Sequence, residues 1–551
     1  MGSGSEGRSR MRRLIVCVAL LLGSIGLAQS RAPRLIVLLV VDQMRGDYVD
    51  KFRHQWTGGL HRLVTKGAWF RQVDYPYFTT VTCAGHATIS TGSLPSTHGM
   101  VMNRWWDGDK QAEVACADDE SAAPVSYGKS VSGVGESARR LRTTTLADEM
   151  RAQLSPAARV ISFSLKARSA VTLAGQRPDV VAWFRDEGTW VTSTTYAKAQ
   201  VPAVAGFIKR HPVENDFGKR WDRALQKSAY LYEDPAIGVP RGEGSTGSFP
   251  HRLNSAASVD ASFYSAWQSS PYSDEYLAQM ALDVAEQLHV ENGSSNLLAI
   301  GFSALDRVGH QFGPNSHEVQ DVLVRLDRTL ATFFERLDRL VGPDNYTVAL
   351  SADHGVAPLP ERMVAAGLDG GRVSDMAVAD AIDRTLRNAL GLRGSIARVV
   401  TNNFYFKPGV FEKMVATPGT LEAVRAALRK IPGVLDMYTR DQLAANHFDD
   451  DVIGRQMAHS YYAGRSGDLI VVLRPYWVGG TSGASHGTGF GYDTRVPLFL
   501  LGKGIVPGEY VAPASPVDIA PTLAFLAGIT LPRAQGRVLA EALASGSNLR
   551  H

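Results

Sequence analysis

The chain has 551 residues, 44% of them hydrophobic and 20% charged, so it can bury a large core and lacks the composition of a disordered chain. Its formal charge of +4 is concentrated at the start: residues 1–30 hold Arg8, Arg10, Arg12 and Arg13 against Glu6 alone, and the remainder is close to neutral. That balance excludes a broad basic surface for nucleic acid.

The first element is a leader. Arg10–Arg13 precedes the apolar run Leu14–Leu22, which continues to Leu27 and ends in the small-x-small pattern Ala28-Gln29-Ser30. This reads as a secretory signal peptide cleaved after Ser30. No later segment holds the ~20 unbroken apolar residues of a membrane helix, so a periplasmic or secreted protein without a stable membrane anchor is expected. Beyond the leader, Cys83 and Cys116 remain, and in an oxidising compartment they could pair or stay free thiols.

A series of short apolar strands follows, each running into polar residues. Leu35–Val41 leads to Asp42, Val160–Leu165 to Lys166, Leu297–Phe302 to Asp306, and Thr347–Leu350 to Asp353; Leu469–Leu473 and Val496–Leu501 come late. Strands apolar on both faces belong in a parallel sheet covered by helices. Amphipathic stretches lie between them at Thr144–Leu154, Asp274–Val290, Val319–Val341, Asp375–Leu390 and Leu421–Lys430. The fold class is therefore α/β, a largely parallel central sheet sandwiched by helices, with ligands expected beyond the carboxyl ends of the strands. Asp107–Arg142 and Pro235–Ser273 read as long loops. Residues 362–467, with strands near Val399–Phe406 and Val434–Thr439, read as a smaller α+β insertion between two core parts, 31–361 and 468–551.

The polar residues at the strand ends make a metal-ligand set. Asp306 and His310 are four apart and share one face of a helical turn. Asp353-His354 follows a strand directly, His486 lies in the Gly/Ser-rich stretch Gly479–Gly491, and Asp42 ends the first strand. Three aspartates and three histidines suit two cations about 4 Å apart, the arrangement used for in-line displacement at phosphorus. Between them, Thr79-Thr-Val-Thr-Cys-Ala-Gly-His86 combines hydroxyls with the start of a helix, a setting for an anion. Spacing alone leaves Thr79, Thr80 and Thr82 open as the nucleophile.

Thr82 four residues before His86, then Thr91-Gly92 and Pro95-x-x-His98-Gly99, resembles the nucleophile segment of the alkaline phosphatase superfamily in its nucleotide pyrophosphatase/phosphodiesterase style. The order Asp42, Thr82, Asp306-x-x-x-His310, Asp353-His354, His486 is similar to that family's ligand order, and Asp518-Ile-Ala-Pro-Thr-Leu resembles its closing helix. The resemblance implies two zinc ions. Asp306, His310 and His486 would hold one; Asp42, Asp353 and His354 would hold the other, joined by Thr82 as an alkoxide. Asn103 and Lys166-Ala-Arg168 resemble the phosphate-contacting asparagine, lysine and arginine of the phosphate-irrepressible (PafA-like) alkaline phosphatases.

That trio bears on the substrate. An ammonium and a guanidinium fork favour a doubly charged monoester over a singly charged diester. The expectation is a monomeric phosphomonoesterase acting on small-molecule phosphate monoesters through a phosphothreonine, with a phosphodiesterase using the same metals as the alternative. A sulfatase is excluded: Cys83 is followed by Ala84, Gly85, His86 and Ala87, without the proline and arginine that formylglycine maturation recognises. A zinc-binding protein without turnover would need no hydroxyl beside the ligands.

Overall fold

A computed structural model describes residues 32–154, 158–239, 247–253, 257–292 and 295–544. The expected signal peptide lies outside these residues. The main sheet has ten strands, numbered in chain order: β1 (Leu35–Val41), β2 (Ala68–Phe70), β3 (Pro124–Ser126), β4 (Val160–Ser164), β5 (Val180–Arg185), β6 (Thr189–Ser193), β7 (Asn296–Phe302), β8 (Tyr346–Ser351), β9 (Leu498–Gly502) and β10 (Gly508–Tyr510). Their spatial order is β10-β2-β9-β8-β1-β7-β4-β5-β6-β3.

The five neighbours β8, β1, β7, β4 and β5 are parallel. All seven residues of β1 and of β7 are buried, because helices cover both faces. The long helices Pro271–Gln287 and His317–Leu340 and the helices Gly59–Lys66 and Ala167–Ala174 supply that cover. Such continuous apolar runs are what the sequence displays at these strands.

Register explains why the polar residues meet. Val40 of β1 pairs with Gly301 of β7 and Ser351 of β8, and Gly301 pairs with Ser164 of β4. The four strands therefore end level, and Asp42, Lys166, Asp306 and Asp353 emerge along one edge. β9 runs antiparallel to β8, with Leu498 opposite Ser351. Because it starts at the edge where the parallel strands stop, the stretch leading into it, which carries His486, arrives at the same place. The sequence reading put Val496–Leu501 in the parallel set; its reversed direction is what delivers His486.

A second sheet has the order Ile396–Val400, Asn403–Phe406, Leu469–Leu473, Val434–Thr439, all antiparallel. Leu469–Leu473 was expected in the main sheet and belongs to this one instead. Its apolar residues serve a separate core with Phe404, Val424 and Met437, against helices Asp375–Leu390 and Thr420–Leu428. The single strand expected near Val399–Phe406 is a hairpin, with Val400 paired to Asn403 and a two-residue tip, Thr401-Asn402, at φ 44° and 59°. Left-handed φ at both tip residues matches the twist of a tight hairpin.

Candidate active site

Thr82 opens the helix Thr82–Thr91, whose ten residues are all buried. Its N-cap residue, Val81, supplies no side-chain cap; the Cys83 N–H is instead taken by the Asn103 amide oxygen, so Asn103 sits at the helix start beside Thr82. This helix meets the strand edge closely. A Cβ placed on Gly85 would lie 2.2 Å from the carbonyl oxygen of Asp353, so only glycine admits the approach.

Around Thr82 the expected ligands converge. Thr82 Oγ1 lies 3.5 Å from His354 Nε2. The same nitrogen is 3.5 Å from Asp42 Oδ1 and 3.4 Å from Asp353 Oδ2. His310 Nε2 is 3.2 Å from Asp306 Oδ1, and His486 Nε2 is 4.0 Å from that oxygen. The His354 and His486 rings stack at 3.6 Å. Two sets have donor atoms close enough to share a cation: Asp306, His310 and His486, and Asp42, Asp306 and His354. Asp306 belongs to both, and Asp353 sits against the second.

The histidine tautomers are fixed by their backbone partners. Nδ1 lies 2.7 Å from the Ala484 carbonyl in His310, 2.8 Å from the Thr80 carbonyl in His486, and 2.9 Å from the Gly355 carbonyl in His354. A carbonyl only accepts, so each Nδ1 carries a hydrogen and each Nε2 presents its lone pair inward. This is how proteins orient metal-ligating imidazoles. Burial, with His354 and His310 nearby, also pushes His486 well below the ordinary histidine pKa, which favours the neutral ligand form.

Charge is out of balance here. Asp42, Asp306 and Asp353 are buried, and the Lys166 ammonium lies between the first two, 2.5 Å from Asp42 Oδ2 and 2.5 Å from Asp306 Oδ2. Burial, then Asp306 and Asp353, push the Asp42 carboxyl well above its usual range. For Asp306, burial acts in the same direction, but Lys166 and His310 outweigh it and hold this carboxyl low. Asp42 Oδ1 and Asp353 Oδ2 are buried with no hydrogen-bond partner among the described residues. Orphaned carboxylate oxygens facing inward imidazole lone pairs fit bound cations better than an apolar or neutral filling.

Asn103 and Arg168 occupy neighbouring positions. Asn103 Oδ1 accepts from the Cys83 N–H at 2.9 Å, immediately after Thr82. Lys166 caps the helix Ala167–Ala174, and Arg168 lies in its first turn with Nε buried and without a partner among the described residues. Two cations and no acid at a helix N-terminus oppose the helix dipole. Such an arrangement suits an anion that both cations and the dipole attract.

Residues 36–488 match the family model described as type I phosphodiesterase/nucleotide pyrophosphatase. The chain belongs to this family. Within it, the chain lies on the PafA-like alkaline phosphatase branch. It is 32% identical to alkaline phosphatase PafA of Elizabethkingia meningoseptica over 550 residues, covering 97% of this chain and 99% of that one. It is 31% identical to alkaline phosphatase PhoV of Synechococcus elongatus, covering 93% of each. The crystal structure of wild-type PafA superposes with a TM-score of 0.85 at 31% identity, over 93% of this chain and 99% of that one. The chain is thus an enzyme of the alkaline phosphatase kind, with an alkaline phosphatase-like fold.

In this member of the family, two residues enter the site that the sequence reading did not assign. Gln43, at φ 69°, donates Nε2 to Asp306 Oδ1 at 2.8 Å, and its N–H donates to Asp353 Oδ1 at 3.1 Å. It thereby ties two carboxylates together from a backbone conformation that is strained for any residue but glycine. Its position beside Asp42 was the available signal. His86 Nδ1 lies 3.1 Å from Asp353 Oδ2 and 3.0 Å from the Thr82 carbonyl. The pairing of Cys83 with Cys116, open in the sequence, is a disulfide.

Proposed function

We propose that this enzyme is an exported, monomeric phosphomonoesterase that carries two zinc ions and turns over through a phosphothreonine at Thr82. One observation supports the reading above the others: a hydroxyl at a helix start faces three buried carboxylates, two with orphaned oxygens, beside a lysine ammonium. Asp306, His310 and His486 would hold one cation, and Asp42, Asp353 and His354 the other. When bound, these cations supply Lewis-acid charge that activates the hydroxyl and neutralises the phosphoryl and departing oxygens. Manganese or cobalt would also suit these donors, so metal identity rests on ligand chemistry and kinship.

The chain's own groups then act in order. Thr82 Oγ attacks phosphorus in line; the P–Oγ bond forms as the bond to the leaving alcohol breaks on the side of His310 and His486. Asn103, its amide oxygen engaged by Cys83, turns its NH2 to a non-bridging oxygen. The Arg168 guanidinium takes another, and Lys166 adds charge. Water enters from the side the alcohol has left and cleaves the phosphothreonine, regenerating the hydroxyl and releasing phosphate.

The test compares p-nitrophenyl phosphate with its bis-ester in wild type, Thr82→Ala and Arg168→Ala. Thr82→Ala should abolish monoester turnover, and Arg168→Ala should reduce the monoester rate far more than the diester rate. A wild type faster on the bis-ester would favour the phosphodiesterase alternative.

A further inference from the structure

Of the six candidate ligands, His486 sits on the stretch that its own sequence stiffens least. Asp306 and His310 lie on a helix, and Asp42 and Asp353-His354 follow strands directly. Residues 480–490 form neither helix nor strand, and Gly483, Gly487 and Gly489 interrupt them, the first two at φ 73° and 110°. Glycine loses more backbone freedom on folding than any other residue, so an imidazole here keeps one position only if contacts from elsewhere hold it.

Such contacts come from three other segments of the site. The Ala484 N–H donates to the His310 carbonyl at 2.9 Å, the Ala357 N–H to that of Ser485 at 3.0 Å, and the Gly355 N–H to that of Asp493 at 2.7 Å. These are bonds of the backbone, which a side-chain substitution does not remove. Two buried side chains add to them. Thr80, two residues before Thr82, takes the His486 Nδ1–H on its carbonyl at 2.8 Å and donates its own hydroxyl to the Thr488 carbonyl at 2.8 Å. Asp493 Oδ2 accepts from the Thr488 N–H at 2.9 Å and from its hydroxyl at 2.6 Å. Thr80 thus grips the loop on both sides of Gly487, and Asp493 secures the second grip.

We propose that Thr80 is a positioning residue for the reaction: its carbonyl and hydroxyl clamp the His486 loop to the segment that leads into Thr82, and Asp493 anchors that clamp. The imidazole and the attacking hydroxyl are then set relative to each other by one short stretch of chain. Among the three threonines that spacing leaves open, Thr82 faces the candidate ligands and Thr80 holds the loop. The inference rests on the phosphomonoesterase reading, in which the bond to the alcohol breaks on the side of His310 and His486.

The experiment titrates zinc calorimetrically into metal-free wild type, Thr80→Val, Thr80→Ser, Thr488→Val and His486→Ala. Valine keeps the shape of threonine and loses the hydroxyl, whereas serine keeps the hydroxyl. Wild type should take up two zinc ions, and His486→Ala should lose one of them. Thr80→Val should weaken that same ion about tenfold to a hundredfold, the scale for losing a partner behind a metal ligand, and leave the other unchanged; Thr80→Ser should restore it. Thr488→Val, which loosens the Asp493 anchor, should weaken the same ion by less, and it carries the test if Thr80→Val does not fold. Equal weakening of both ions, no weakening, or a serine variant no better than valine would overturn the clamp. A wild type that binds fewer than two zinc ions would overturn the clamp and the two-cation reading together. Uptake of two ions without turnover of p-nitrophenyl phosphate would sink the phosphomonoesterase reading, while the clamp on His486 would stand on the zinc titration.

Discussion

Asn103 Oδ1 is held at 2.9 Å by the backbone N–H of Cys83, and the Cys83 side chain is joined to Cys116, whose N–H donates back to the Asn103 carbonyl at 3.0 Å. The disulfide thus closes a ring around the asparagine from the residue next to Thr82. Its sequence separation is 33 residues, a loop whose closure is worth about 3.7 kcal/mol in the chain-entropy view.

Removing both cysteines as alanines should lower the melting temperature and reduce kcat/KM for a monoester about tenfold. Asn103→Ala alone should cost about a hundredfold, the scale for losing one donor to a transition-state oxygen. If the disulfide acts through Asn103, the triple variant will be little slower than Asn103→Ala. Additive losses in steady-state kinetics would refute that coupling.

Chelation tests the metal assignment. Treated protein should lose more than about 99.9% of monoesterase activity and regain it with zinc, because the hydroxyl is otherwise a poor nucleophile. The melting temperature should fall with chelation and rise with added zinc, as for any ligand that binds only the folded chain. Activity unmoved by exhaustive chelation would contradict the two-cation site.

Lys166 is the ammonium that the metal-free carboxylates share. Without it, Asp42 and Asp306 would be left buried with no cation between them, Asp306 keeping only Gln43 and His310, and breaking such a buried ion pair costs about 3–5 kcal/mol. Lys166→Met should therefore melt well below wild type when both are metal-free, and the gap should narrow when zinc is added. A deficit of the same size with and without zinc would show that the lysine only packs. Thermal denaturation of four samples decides it.

What the sequence displays and what it hides follow from range. Asp42, Lys166 and Asp353 follow the ends of continuous apolar strands, and Asp306 lies in the first turn of the helix Ala304–Phe312 after another, on one face with His310, so local pattern and spacing reveal them. Leu469–Leu473 is as apolar as β1, and period alone cannot say which of two sheets it joins; that depends on its pairing with Asn403–Phe406 and Val434–Thr439. Gln43 and His86 are hidden for a related reason. Their roles come from contacts with Asp306 and Asp353, hundreds of residues away in the chain; the place of Gln43 beside Asp42 hints at the site but not at which carboxylates it joins. The disulfide was a matter of distance between the start of the helix Thr82–Thr91 and the turn after the strand Ala112–Ala115, which no spacing rule supplies.

His98 gives a pH dependence of stability separate from the candidate metal ligands. It is fully buried; its Nδ1 accepts from the Met100 N–H at 3.0 Å, so Nε2 carries the hydrogen and donates to Thr88 Oγ1 at 3.1 Å. Both nitrogens are committed in the neutral ring, and a second proton would break the Met100 bond. Burial, aided by the nearby Arg465 cation, pushes its pKa down from 6.5 to about 3. Between these values the unfolded chain binds a proton that the folded chain refuses. Stability is therefore intact above about pH 6.5 and declines as pH falls toward 3, by roughly 1.4 kcal/mol per pH unit for this one proton. His98→Asn keeps an acceptor for Met100 and does not titrate, so its denaturant-derived stability should fall less steeply over the same window, by that one-proton slope. Carboxylates common to both proteins cancel in the difference. Parallel slopes for the two proteins would mean that His98 is protonated in the folded state.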